Sequence, residues 1–423
     1  FPIGRDPKIL TLSPLELMEH ADKSLKEDDL DEALFAARYY LQENDDGLSR
    51  PKAQMIVATV YDQRGLEQYA FEEYQKLLDE YPKYEQNEEA LKRMYEIASH
   101  FLDGQWFRWK LPYQETVSIP IGPSMHRTTQ LFSQIVTNAP YGTYAAQSQF
   151  GIGEAHEKRL QGFWGFFADE SEFDKAARAY QLLADRYSSR AGDAPRPNQA
   201  ILDQIVADSR FRMAKLYEVQ ANEGIYDQSM ANRAIDAYKD FRLFHSVPQQ
   251  APRRAEAAER IKAMRMERAR GFMEIARFYE KRAKWVAAMK YYGKVDAALR
   301  QANVEGDDNL LTDPVHQAKA SEWDKIIRTK TSTELVIKRI QQALDAHARG
   351  QQAENKRDYR LAKRHFRVAS LNLYSLPETN IQNLVKKGAI TPATAAQALK
   401  VKAAVGRDLI RISRAMNDRA LNP

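Results

Sequence analysis

Apolar residues recur at three- and four-residue intervals along nearly the whole chain, with Lys, Arg, Asp and Glu filling the positions between them. That period belongs to amphipathic helices packed on one face, and it predicts an all-α protein. A second pattern lies on top of the first. A small residue is followed by another small residue and, four positions later, by an aromatic or apolar one. The triplet recurs as Ala21/Ala33/Ala37, Ala58/Ala70/Tyr74, Ala98/Thr128/Phe132, Gly153/Ala176/Tyr180, Ala214/Ala234/Tyr238, Ala276/Ala288/Tyr292 and Gly350/Ala362/Phe366. Four copies keep a 12-residue spacing between the small positions, and copies three to five stretch it to 30, 23 and 20. Two antiparallel helices approach closely only where small residues face each other, and an aromatic side chain then fills the wedge beside them.

Residues 51 to 82 carry the fullest copy, with Ala58, Tyr61, Gly65, Ala70, Tyr74, Leu77 and Pro82 at positions 8, 11, 15, 20, 24, 27 and 32 of a unit that starts at Pro51. This is the tetratricopeptide (TPR) pattern, a helix-turn-helix of about 34 residues. Seven copies predict an α-solenoid of about seven hairpins, with insertions in repeats 3 to 5. Alternating residues from Thr116 to Ile121 suggest a strand inside the third repeat's insertion. Residues 188 to 198 and 297 to 331 read as connections between blocks. The expected domains are an N-terminal TPR block over 1–187, a central block over 188–300, and a segment over 301–423 with a linker, a seventh hairpin and basic C-terminal helices. Beyond Pro392, Ala398, Val401, Val405, Leu409, Ile412 and Met416 fall three or four apart, which suits a C-terminal capping helix.

Charge is divided along the chain. Residues 1–250 hold 28 Lys+Arg against 39 Asp+Glu, a net −11, and residues 251–423 hold 35 against 19, a net +16. Such asymmetry points to a charged partner or to pairing of one half with the other. No nucleic-acid module accompanies the basic half, so no nucleic-acid partner is expected. The chain has no cysteine, which rules out thiol catalysis and cysteine zinc sites in these residues. The sequence opens at Phe1, from which we expect an upstream segment that was cleaved or left out of the numbering.

No catalytic constellation emerges. The eight histidines form no metal-binding pair at i, i+4, and His156, at a position where other repeats carry Tyr or Phe, reads as a packed residue. Gly151-Ile-Gly-Glu-Ala-His begins like a dinucleotide loop but lacks a third glycine and a preceding strand. The acidic run Glu305-Gly-Asp-Asp departs from calcium-loop spacing and reads as a solvated turn. The expectation is a protein without catalytic residues, cofactor or bound metal.

Recognition remains. Positions 2, 5, 9, 12 and 13 of each first helix point into the groove of such arrays, which accepts extended or helical peptides. They hold Met55, Thr59, Asp62 and Gln63 in repeat two, Phe150, Glu154, Glu157 and Lys158 in repeat four, and Arg277, Glu280 and Lys281 in repeat six. Two insertions are aromatic where loops are normally polar. Trp106, Phe107 and Trp109 lie in the first, and Phe163, Trp164, Phe166 and Phe167 in the second. They either pack on the solenoid or form an exposed patch for a partner.

The stretch Phe132 to Lys158, with Pro140 and Gly142 at a turn and Tyr144-Ala145 opening the next helix, resembles the BamD family of outer-membrane assembly lipoproteins. A second phrase, Gly271 to Tyr292, with Ala276-Arg-Phe-Tyr279 leading to the pair Ala287-Ala288, is similar to a later repeat of that family. The resemblance covers roughly residues 52 to 300. It implies a non-catalytic scaffold at the periplasmic face of a Gram-negative outer membrane. Its partners would be a barrel-type (BamA-like) insertase, incoming outer-membrane protein precursors, or both, with peripheral attachment through an N-terminal lipid. The family's anchoring cysteine is missing from these residues, and the first repeat and everything after the sixth lie outside the match. The alternative is another TPR adaptor of a cell-envelope or secretion complex.

Overall fold

The computed structural model describes residues 7–45, 47–111, 114–161, 171–188, 198–223, 229–304 and 314–421. They form two compact units, Phe1–Leu216 and Tyr217–Pro423. In the first unit, antiparallel hairpins follow one another: α1 (Pro14–Lys26) with α2 (Leu30–Glu43), α3 (Arg50–Gln63) with α4 (Glu67–Glu80), α5 (Asn87–Leu102) with α6 (Met125–Asn138), and α7 (Ala145–Gln161) with α8 (Ser171–Tyr187). The first part of α9 (Gln199–Glu223) completes it. Between α5 and α6 stands an antiparallel ribbon, β1 (Phe107–Leu111) with β2 (Gln114–Gly122), which contains the strand expected from Thr116 to Ile121.

The second unit holds the end of α9, then α10 (Ser229–Phe244), α11 (Ala251–Lys281), α12 (Trp285–Val304), α13 (Pro314–Thr329), α14 (Leu335–Asn355), α15 (Tyr359–Leu373), α16 (Glu378–Lys386) and α17 (Pro392–Leu421). A five-residue π segment, Lys330–Glu334, joins α13 to α14. The region 297–331, expected to be a connection, is therefore helical through Val304 and again from Pro314. Trp323 and Ile327 anchor α13 in the core beside Met273, Tyr292 and Leu335. The capping helix is present as α17, with Ala398, Val401, Val405 and Ile412 buried against the last hairpin. The repeating hairpins make the fold an all-α TPR solenoid.

The triplets explain why the hairpins close. Of their 21 residues, every Ala, Thr, Tyr and Phe is at most 1 % exposed, and Gly153 and Gly350 are buried with them. A methyl group added at Gly350 would lie 2.7 Å from the Phe366 ring, and one added at Gly151 would lie 2.7 Å from the Phe132 ring. The aromatic ring thus occupies the volume that a larger side chain on the first helix would need. Interiors at this density tolerate neither cavities nor added volume.

The turn between the two helices also repeats. Position 15 has positive φ in the four repeats that keep the 12-residue spacing, at Asp28 (63°), Gly65 (68°), Ala283 (53°) and Arg357 (55°). In each, the next N–H reaches back to the carbonyl at position 11: Asp29 to Ser24, Leu66 to Tyr61, Lys284 to Tyr279 and Asp358 to Ala353, all at 2.9 Å. This is the Schellman closure, which satisfies carbonyls that a helix end would leave bare. Asp29 and Asp358 then cap the second helix by accepting from Glu32 and Leu361. Glycine meets the positive φ without cost, and a residue with a Cβ pays for it.

Two substitutions therefore act in opposite directions. Ala283→Gly should stabilise by about 0.5–1 kcal/mol through relief of the left-handed strain. Gly350→Val should destabilise by about 1–3 kcal/mol through overpacking against Phe366. Urea midpoints of the two variants and the parent check both signs.

Candidate functional site

The first helices of neighbouring hairpins are tied to one another by a series of acid–base contacts. In the first unit, Lys52 of α3 meets Asp22 of α1 at 2.5 Å, and Arg93 of α5 meets Asp62 of α3 at 2.7 Å. Lys158 of α7 donates to the Leu102 carbonyl at 2.8 Å and lies 3.3 Å from Asp103, both at the end of α5. Arg212 of α9 spans Glu154 and Glu157 of α7, each at 2.8 Å. In the second unit, Arg260 of α11 meets Glu218 of α9 at 3.0 Å. Lys330 meets Glu280 of α11 at 2.7 Å, and Arg411 of α17 meets Glu354 of α14 at 2.8 Å. His347 of α14 also lies 2.9 Å from Asp408 of α17.

The acids at position 12 have a second task. In the four repeats with Tyr at position 24, position 12 is an acid: Asp62, Glu157, Glu218 and Glu280. The tyrosine hydroxyls reach these carboxylates from the second helix, Tyr238 to Glu218 at 2.6 Å, Tyr292 to Glu280 at 2.7 Å and Tyr74 to Asp62 at 3.5 Å. Tyr180 faces Glu157 without completing a hydrogen bond. A buried phenol needs an acceptor, and a carboxylate pulled from water needs a cation. Where position 24 is Ala37 or Phe132 there is no hydroxyl to satisfy, and position 12 is Leu25 or Leu102; in repeat seven Phe366 also lacks a hydroxyl, and among the described residues the acid Glu354 at position 12 serves Arg411 of α17 alone.

Burial is the leading cause that raises all four phenols, and the facing carboxylates raise them further. Tyr74 is pushed from 10 up to about 12. Burial likewise raises Glu157 above the usual carboxylate range, against the pull of Arg212. His156 hydrogen-bonds Glu172 at 2.8 Å, and burial lowers it from the ordinary imidazole value, in keeping with a packed residue.

This arrangement accounts for most of the residues expected to line a groove. Asp62, Glu154, Glu157, Glu280 and Lys158 already hold partners on the neighbouring helix. Phe150 lies beneath Arg212, 5.2 Å from guanidinium carbon to ring centre. The Thr59 hydroxyl bonds back to the Met55 carbonyl, and Met55 packs against the core. Arg277 pairs with Glu274 on its own helix at 3.0 Å. Gln63, Arg277 and Lys281 are exposed.

The aromatic insertions divide. Phe107 is a correction to the expected docking set: it is 2 % exposed, stacks on Phe101 at 4.1 Å and lies under Arg127, which pins the ribbon to its own repeat. Trp106, beside it, is exposed. Trp109 sits in β1 opposite Ile119. Phe163, Trp164, Phe166 and Phe167 lie outside the described residues, as does the acidic run at 305–308. Among the described residues no group of three His, Asp or Glu side chains is placed to hold a metal, and no helix is long and apolar enough to cross a membrane.

The bases carry no mark in the repeat pattern. Arg93 stands five residues before the first small residue of its repeat, Arg212 two before and Arg260 sixteen before, so no fixed spacing gave them away. The available signal was the coincidence of Tyr at position 24 with an acid at position 12.

No protein-family model matches the chain, and no curated protein does. Among solved structures, the chain is similar to the apo form of RapI (14% identity, 68% of this chain and 98% of that one, TM-score 0.27). It is similar to yeast Tom70 (13% identity, 96% and 89%, TM-score 0.24) and to the Cut9–Hcn1 hetero-tetramer of the APC/C (12% identity, 97% and 92%, TM-score 0.22). These scores are low, and the fold rests on the chain's own hairpins.

The tyrosine ties give stability a pH signature. A phenol whose folded value is raised contributes fully below its unfolded value and loses that contribution as pH rises toward the folded one. Denaturation midpoints should therefore fall between pH 10 and about 12. Tyr74→Phe should flatten that fall by the share of one proton, and an unchanged profile would contradict the burial of the phenol.

Proposed function

We propose that the protein is a non-catalytic scaffold that binds protein partners along the faces of its solenoid. The observation that carries this reading is the acid–base series between successive first helices, which fixes those helices side by side and presents their remaining positions as a preset surface. Preset surfaces bind without the entropy cost of ordering themselves. Gln63, Arg277 and Lys281 remain exposed on that surface, and Trp106 stands exposed beside the ribbon.

The finer reading is a periplasmic scaffold of BamD type that serves outer-membrane β-barrel assembly. It is supported by the two sequence phrases and their place in the fold: Pro140, Gly142, Tyr144 and Ala145 form the turn from α6 into α7, and Ala276 to Tyr279 run directly into the turn before α12. In this reading a barrel insertase or a precursor segment meets the first-helix face.

Co-purification from detergent-solubilised envelopes with an outer-membrane β-barrel protein is the expected result, and recovery only from the cytoplasm would overturn the finer reading. The broader one is tested by Arg277→Glu combined with Lys281→Glu, which should weaken partner capture at least tenfold with the helical circular dichroism unchanged.

A further inference from the structure

A cavity of about 270 Å³ opens in the first unit where the α6–α7 turn, the start of α5 and the start of α9 meet. That volume lies below the roughly 300 Å³ at which pockets for small molecules begin, and suits a single long side chain. Its walls are mostly apolar, formed by Tyr141, Ile201, Leu202 and Ile205. Its polar lining comprises Glu88, Thr143, Gln147, Tyr187 and Asn198, and two acceptors among them lack a donor. Glu88, in the first turn of α5, makes no ion pair or hydrogen bond among the described residues, and the helix start favours its charge. The Gln147 side-chain oxygen is buried with no hydrogen-bond partner. The neighbouring Tyr187 hydroxyl cannot supply one, because it donates to the Pro140 carbonyl at 2.7 Å. Tyr141 stands 81 % exposed at the rim, its ring open to contact. The whole unit is acidic, with 25 Lys+Arg against 34 Asp+Glu over residues 1–216.

A buried acceptor without a donor is costly, and so is an apolar recess left open to water. One chemical group answers both. We infer that this cavity takes the side chain of an arginine from a partner protein. Its planar guanidinium would donate to the Glu88 carboxylate and to the Gln147 oxygen, its aliphatic stem would lie along Ile201 and Ile205, and its flat face would meet Tyr141. A lysine offers a point charge and three donors, without the planar fork that two separate acceptors and an aromatic rim select. Gln147 stands at position 2 of its repeat and the other walls come from the starts of α5 and α9, so this inference rests on the proposed partner-binding reading; loss of benzamidine binding with partner capture retained would sink the inference alone.

Benzamidine, an aromatic amidinium, is a suitable probe, with neutral benzamide as its isostere. Calorimetry or saturation-transfer NMR on the full chain should show saturable benzamidine binding, displaced by N-acetyl-arginine amide. Benzamide should bind at least tenfold more weakly. Glu88→Gln should weaken benzamidine at least tenfold, and Ile201→Arg, which supplies the cation from within the chain at an exposed position, should abolish binding with the helical signal retained. Equal binding of benzamide and benzamidine, absence of saturation, or full binding by either variant would overturn the inference.

Discussion

The structure depends on a constraint imposed by a buried hydroxyl in four of the seven hairpins. Closing two helices over small residues places an aromatic ring in the gap, and where that ring is tyrosine its oxygen is carried out of water with it. Tyr74, Tyr180, Tyr238 and Tyr292 are each at most 1 % exposed. An acid on the opposing helix receives or faces the hydroxyl, and the acid in turn draws a base from the next hairpin. Glu218 shows the full relay, with Tyr238 at 2.6 Å on one side and Arg260 at 3.0 Å on the other. Packing within a hairpin and adhesion between hairpins are thus joined through one carboxylate. Repeat arrays draw their stability from such nearest-neighbour terms.

Much of the fold was legible because its rule is local. Small residues at positions 8 and 20 are required by helix approach alone and mark all seven hairpins even where the connection is long, and a ring at position 24 follows them in all but the first, which has Ala37. The third repeat holds a 30-residue interval between Ala98 and Thr128, yet both are fully buried. The helix α13 was obscured because Thr329, Thr331, Ser332 and Thr333 are poor helix formers, and the chain answers with a π segment there. The groove face was only half legible. The residues expected to line it lie on the first helices, and the bases that reach them from the next hairpin come at irregular offsets that no position number marks. Phe107 followed the same logic: its composition suggested a docking loop, and its neighbour Phe101 made it core.

The ion-pair series also alters the meaning of the charge division. The second unit carries 38 Lys+Arg against 24 Asp+Glu. Part of that excess is engaged within the unit, since Arg260, Lys330 and Arg411 each hold an acid on a neighbouring helix. The outer side of α15 is different. Arg360, Arg364 and Arg367 are exposed there and form no ion pair among the described residues, and Leu371 and Tyr374 continue the same strip. Charge in this protein therefore has two uses, one that sets neighbouring helices in place and one left on the surface.

One carboxylate, Glu218, couples the hairpin it belongs to with the next. A double-mutant cycle of Tyr238→Phe with Arg260→Met tests it most directly, because the two side chains share Glu218 as their common partner. A coupling energy of about 0.5 kcal/mol or more in urea denaturation is expected, the range found for residues in one hydrogen-bond network. Additivity of the two single effects, to within about 0.3 kcal/mol, would contradict it.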